Sequence, residues 1–96
     1  MKTVYVSIGN SDDRLRQTDW AEFCLEFKSI MIRFGKLHGD WYSATSARWQ
    51  NMCICVDIED NLVDSLKSLL EGLKKKFRQD SIAWAEVDHN VSHRFL

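Results

Sequence analysis

Met52-Cys53-Ile54-Cys55-Val56-Asp57-Ile58 is the stretch whose reading decides the architecture. Met52, Ile54, Val56 and Ile58 alternate with Cys53, Cys55 and Asp57. A period of two sends successive side chains to opposite faces, so the stretch is a β-strand with one face on a core. Thr3 to Gly9 shows the same alternation. Val4, Val6 and Ile8 take one side, and Thr3, Tyr5 and Ser7 the other. After each strand the period changes. Gly9-Asn10-Ser11-Asp12-Asp13 breaks the first strand. Trp20, Phe23, Cys24, Phe27, Ile30, Met31 and Phe34 then recur at helical spacing. Asp19 and Glu22 have the spacing of a capping box, so the helix is expected to begin at Asp19, and Gly35 suits its end. After Ile58, Glu59-Asp60-Asn61 opens a second helix with the stripe Leu62, Leu66, Leu69, Leu70, Leu73 and Phe77.

In that second helix the acids Glu59, Asp60 and Asp64 lie near the start, and Lys74, Lys75, Lys76 and Arg78 near the end. Both placements complement the helix dipole, which explains the lysine run without a phosphate site. Gly72 costs about 1 kcal/mol against alanine inside a helix, so a close packing contact is expected there. Between the helices, Leu37 to Ser43 is short and aromatic, and the small polar run Ala44-Thr45-Ser46-Ala47-Arg48 reads as a hairpin loop. Ser81 to Val87 reads as the last strand. Residues 1–88 are expected to form one α+β domain, with 89–96 as a polar tail.

The order is strand, helix, strand, strand, helix, strand. It resembles the split βαβ arrangement called ferredoxin-like, a four-stranded antiparallel sheet with two helices on one face. That resemblance implies a fold and not an activity, because many unrelated functions share it.

The 96 residues carry 13 Lys and Arg against 14 Asp and Glu, a net charge of −1. That balance excludes a globally basic nucleic-acid binder. The absence of proline excludes a Pro-rich linker. No run approaches the roughly 18 apolar residues of a membrane span, and the opening residues lack a signal-peptide pattern. The three cysteines, Cys24, Cys53 and Cys55, are an odd number. They read as reduced, mostly buried thiols, which places the chain in the cytoplasm.

This topology gathers three connections at one end of the sheet: Asn10 to Thr18, Ser43 to Gln50 and Arg78 to Ser81. Ser11, Asp12, Asp13, Arg14, Arg16, Arg48, Trp49, Gln50, Arg78, Gln79 and Asp80 are thereby expected on one rim. Trp49, beside a hairpin tip with little local core to enter, is the expected anchor for a partner protein. The second expected surface is the sheet face away from the helices, holding Tyr5, Cys53, Cys55, Ile82 and Trp84. That face is too apolar to stand solvated. A symmetric dimer is the favoured cover, ahead of the tail through Val91, Phe95 and Leu96.

Catalytic and cofactor signals are weak throughout. Four scattered glycines form no phosphate cradle, and no cofactor is implied. Cys53-x-Cys55 is half a zinc site at most, and His89 with His93 lacks further ligands, so no metal site is assigned. His38 with Asp40 could orient a proton transfer, but a structural role is expected. Acylphosphatases of this fold hold phosphate on a Gly-rich, Arg-containing loop after the first strand. Here Gly9-Asn10-Ser11-Asp12-Asp13-Arg14 has one glycine and two acids that repel phosphate. The chain is superficially similar to the small CRISPR-associated nucleases in Tyr5-Val6-Ser7-Ile8 and Asp12-Asp13-Arg14. It departs where their metal-binding acid stands, with Ser7 or Gly9. RNA-recognition domains place aromatics on the open face; Tyr5 fits, Cys53 and Cys55 do not, and nucleic acid is not the expected partner.

The leading expectation is therefore a small self-associating interaction module of inhibitor or adaptor type, such as mobile elements encode, with no catalysis of its own. The alternative is a small-ligand or nucleotide sensor, with Arg14, Arg48 and Arg78 on an anion and Trp49 or Trp41 on a ring. A third is a metal-dependent nuclease of similar fold, in which Asp12, Asp13 and Asp80 on the rim would share a divalent ion.

Overall fold

The strand Lys2–Gly9 (β1) lies inside the sheet, with Asn51–Ile58 (β3) on one side and Ala83–Val87 (β4) on the other. Gly35–Tyr42 (β2) pairs with the far side of β3, so the order is β2-β3-β1-β4 and every neighbouring pair is antiparallel. The helix Gln17–Phe34 (α1) connects β1 to β2, and a 3-10 turn at Asp60–Leu62 leads into Val63–Lys76 (α2), which connects β3 to β4. The computed structural model describes residues 1–10, 15–44 and 49–87. The ferredoxin-like topology is the one the element order implies.

The register sets which side chains meet the helices. Val4 lies opposite Val56, Val6 opposite Ile54 and Ile8 opposite Met52, and all six are buried. Trp20, Phe23, Phe27 and Met31 cover them from α1, and Val63, Leu66, Leu70 and Leu73 from α2. Phe23 stacks on Phe77 with ring centroids 4.7 Å apart and so joins the two helices. Truncating a buried Phe of this kind to alanine costs about 3–5 kcal/mol. Leu69, expected in the α2 stripe, is exposed instead, and Val63 is the buried residue at the start of the helix. The chain enters α2 through a 3-10 turn. Leu66, Leu70, Leu73 and Phe77 nevertheless keep the expected phase, and Leu69 lies at the edge of their stripe.

Helix α1 starts at Gln17, ahead of Asp19, and Arg16 is its N-cap with no side-chain capping bond. The expected capping box is therefore not the start signal. The start is fixed from outside the helix by Asn10, which is buried. Its Oδ1 accepts the Leu15 N–H at 3.0 Å and its Nδ2 donates to the Leu15 carbonyl at 3.0 Å. Leu15 is itself buried, so the chain is already anchored when Gln17 begins the helix. Asp19 lies within the first turn, where its charge suits the dipole and meets Arg16 Nε at 3.4 Å.

At the other end α1 passes into β2 without a loop. Gly35 donates its N–H to the Met31 carbonyl and pairs with Ile58 in the sheet. A Cβ there would stand 2.6 Å from the Asp57 carbonyl oxygen and 2.9 Å from Val56 Cβ. Glycine is thus required by close approach. Gly72 is the opposite case: a Cβ there would meet nothing within 4 Å, so the expected packing contact is absent.

The two glycines give opposite predictions. Gly35→Ala overpacks the joint and is expected to lower stability by about 1–3 kcal/mol. Gly72→Ala replaces an exposed helical glycine and is expected to raise it by about 0.8–1 kcal/mol. Urea denaturation followed by circular dichroism measures both.

Candidate functional site

The three connections do gather at one end of the sheet. There Gly9 lies opposite Asn51, Tyr42 opposite Met52 and Ser7 opposite Ala83. Ser11, Asp12, Asp13, Arg14 and Arg48 lie outside the described residues. Of the remaining rim residues, Trp49 is exposed, while Gln50, expected to bind a partner, is only 5% exposed. Gln50 instead ties the loops together. Its Nε2 donates to Gln17 Oε1 at 2.7 Å, and its Oε1 accepts from Asn10 Nδ2 and Gln17 Nε2. The Gln50 carbonyl also accepts the Asn10 N–H at 2.8 Å. A buried amide network of this kind fixes loop geometry, because breaking one member leaves the others unpaired.

Arg78 has its own backbone task. Its φ of 56° is left-handed, its N–H donates to the Lys75 carbonyl, and the Gln79 N–H donates to the Lys74 carbonyl at 2.9 Å. Together these bonds close α2 as glycine usually does. Arg78 then lines a hollow with Leu15, Asp19 and Glu22 on the helix side of the rim. Gln79 and Asp80 line a separate cleft of about 380 Å³ with Ser7, Gly9 and Ser81. A third cavity, of about 310 Å³, lies between Gln17, Trp20, Tyr42 and Gln50. Among these hollows Arg78 lines one, Gln79 and Asp80 another, and Gln50 the third.

The helix-free face of the sheet is more coherent. Tyr5 pairs with Cys55, and Cys55 with Gly39, across three strands; Ser7, Cys53 and Trp41 form the next row. The Trp41 ring turns down over Gly39, within 3.0 Å of where a Cβ would be. There it stacks with Tyr5, centroids 6.3 Å apart and planes 25° apart. The two rings cover Cys55, which is only 2% exposed on a face without a helix. Burial pushes the Cys55 thiol up from its ordinary value, and its hydrogen bond with Tyr5 pushes the phenol up in turn. The rings themselves stay accessible, Trp41 at 54% and Tyr5 at 40%. Ala83, Ala85 and Val87 of β4 complete the face beside Ser7, Tyr5 and Thr3.

Trp84 is not part of it. It lies opposite Val6, and Glu86 opposite Val4, which places both on the helix side. The reason is register: β1 fixes the parity of β4, and Ile82 and Trp84 pack against the core instead of facing away from it. Trp84 Nε1 donates to Glu86 Oε1 at 3.1 Å, and Lys67 Nζ sits 4.8 Å from its ring centroid. Lys67 and Trp84 border a groove of about 270 Å³ between α2 and β4. Trp84 is therefore removed from the sheet-face set, and Trp41 takes the aromatic position there.

His38 does not pair with Asp40. A register shift between Leu37 and Gly39 makes His38 the extra residue of a bulge in β2. Its Nε2 donates to Asp57 Oδ2 at 2.6 Å, while Thr3 Oγ1 donates to Asp57 Oδ1. Asp40 faces the helices, where Lys28 Nζ lies 2.7 Å away and Tyr42 donates its hydroxyl at 3.0 Å. These two donors hold the Asp40 carboxyl below its usual range. Among the described residues no group of three His, Cys, Asp or Glu side chains is placed to hold a metal ion, and no helix is long and apolar enough to cross a membrane. The chain matches no protein-family model, and no curated protein is significantly similar to it.

Two predictions come from this geometry. Asn10→Ala removes both side-chain bonds to Leu15 and one to Gln50, and is expected to cost about 2–4 kcal/mol by chemical denaturation. Cys24, half-buried on α1, has its thiol pushed up by burial to about 11 from 9.0. The folded state therefore disfavours the thiolate. Its contribution is complete below pH 9 and is lost as pH rises through 11. Stability measured across that interval is expected to fall less steeply in Cys24→Ala than in the parent protein.

Proposed function

We propose that this chain is a small protein-interaction module that acts by binding, and that its helix-free sheet face binds a second copy of the chain. The stacked, exposed Tyr5–Trp41 pair carries this reading. A single exposed aromatic is ordinary, but two stacked rings bordered by Cys53, Ala83, Ala85 and Val87 make a contiguous apolar patch. Asp57, a carboxylate on this face, is bonded to His38 and Thr3, so a second copy need not meet a bare negative charge.

Size sets the strength of the association. Four strands about 4.8 Å apart, each of five to eight residues rising about 3.3 Å, present roughly 400 Å² in projection. Stable interfaces bury about 800 Å² of accessible surface per partner, so a face of this size is expected to hold a reversible dimer and not a permanent one. The rim supports a second, heterologous contact through exposed Trp49, which immediately precedes Gln50 and its network in the chain.

Sedimentation velocity of the full chain from about 1 to about 500 µM tests the reading. The average mass is expected to climb from one chain toward two, and Tyr5→Lys is expected to remain a folded monomer. A single-chain mass at every concentration contradicts the reading. If removal of residues 88–96 then produced a dimer, the face would belong to that segment.

A further inference from the structure

Resting on the self-association proposed above, we infer that the two copies meet about a two-fold axis parallel to the strands, with Trp41 of one copy over Ala85 of the other. The face is uneven in a way that selects this arrangement. Its β2 side is raised by the Trp41 ring, and its β4 side is shallow, carrying Ala83 and Ala85. A two-fold along the strands carries each side onto the opposite one, so the raised half of each copy fills the low half of its partner. The same operation keeps every row of the sheet in line with itself. The Trp41 ring lies over Gly39. Gly39 shares its row with Cys55, Tyr5 and Ala85. The ring therefore arrives at Ala85 of the second copy. A two-fold running across the strands would stack Trp41 on Trp41 and leave the alanines facing a gap, which costs packing on both sides.

Within one chain, β2 and β4 are the opposite edges of the sheet. Three strand spacings, roughly 14 Å, separate positions 41 and 85. Substitutions that far apart add independently unless the two positions touch across copies. A double-mutant cycle on the dimer dissociation constant is therefore diagnostic. Trp41→Ala leaves a void and Ala85→Trp fills the low side, and each is expected to weaken the dimer about tenfold or more. The combined variant exchanges raised and low sides, and is expected to return to within about threefold of the parent. Both sites are exposed, so the variants are expected to stay folded; circular dichroism checks this, and Ala85→Phe replaces Ala85→Trp if needed. A dimer in which the two effects simply multiply, to about a hundredfold, overturns this arrangement and leaves self-association standing. A parent chain that is monomeric throughout overturns both.

Discussion

Both crossovers, β1-α1-β2 and β3-α2-β4, lie on the same side of the sheet, and the remaining features depend on that constraint. It obliges β1 and β3 to hold a dry face of Val4, Val6, Ile8, Met52, Ile54, Val56 and Ile58 toward the helices. It leaves the alternate residues without a covering layer among the described elements. The chain manages part of that exposure internally. Tyr5 and Trp41 lie across Cys55, and Asp57 is satisfied by Thr3 and His38. What the rings cover they replace with their own surface, so the apolar character of the face is moved outward and not removed.

A single extra residue in β2 makes this arrangement. Leu37 faces the helices opposite Val56, and in an unbroken strand Gly39 would do the same. The bulge at His38 reverses the parity, so Gly39 and Trp41 come to the helix-free face and Asp40 and Tyr42 to the helix side. Without it Trp41 would turn to the helix side, and His38 instead of an indole would share the row of Cys55 and Tyr5. The bulge also places His38 where it reaches Asp57. Gly35 supplies the other half of the device. By allowing α1 to turn straight into β2, it fixes where the strand begins and therefore where the extra residue falls.

Much of this was legible in the sequence. The alternation in β1 and β3 and the stripe of α1 are strong signals, because each buried face is continuous over at least one whole element. The clustering of three connections at one end follows from element order alone. The features that escaped depend on partners distant in sequence. Ile82-Ala83-Trp84-Ala85 is compatible with either parity, and only pairing with β1 sends Trp84 to the helix side. The bulge has no local signature stronger than Gly39 itself, so neither Trp41 on the open face nor the His38–Asp57 pair could be read. Gln50 reads as a rim residue because it lies in the connection between β2 and β3. Its burial comes from Asn10 and Gln17, which lie 40 and 33 positions away in the chain.

The most direct test of the helix-free face as the contact surface is the concentration dependence of the indole N–H resonances of the four tryptophans. Dilution is expected to shift Trp41, with the amides of Tyr5 and Ala85, while Trp20 and Trp84 on the helix side stay fixed. Shifts confined to the helix side, or none at any concentration, would contradict it.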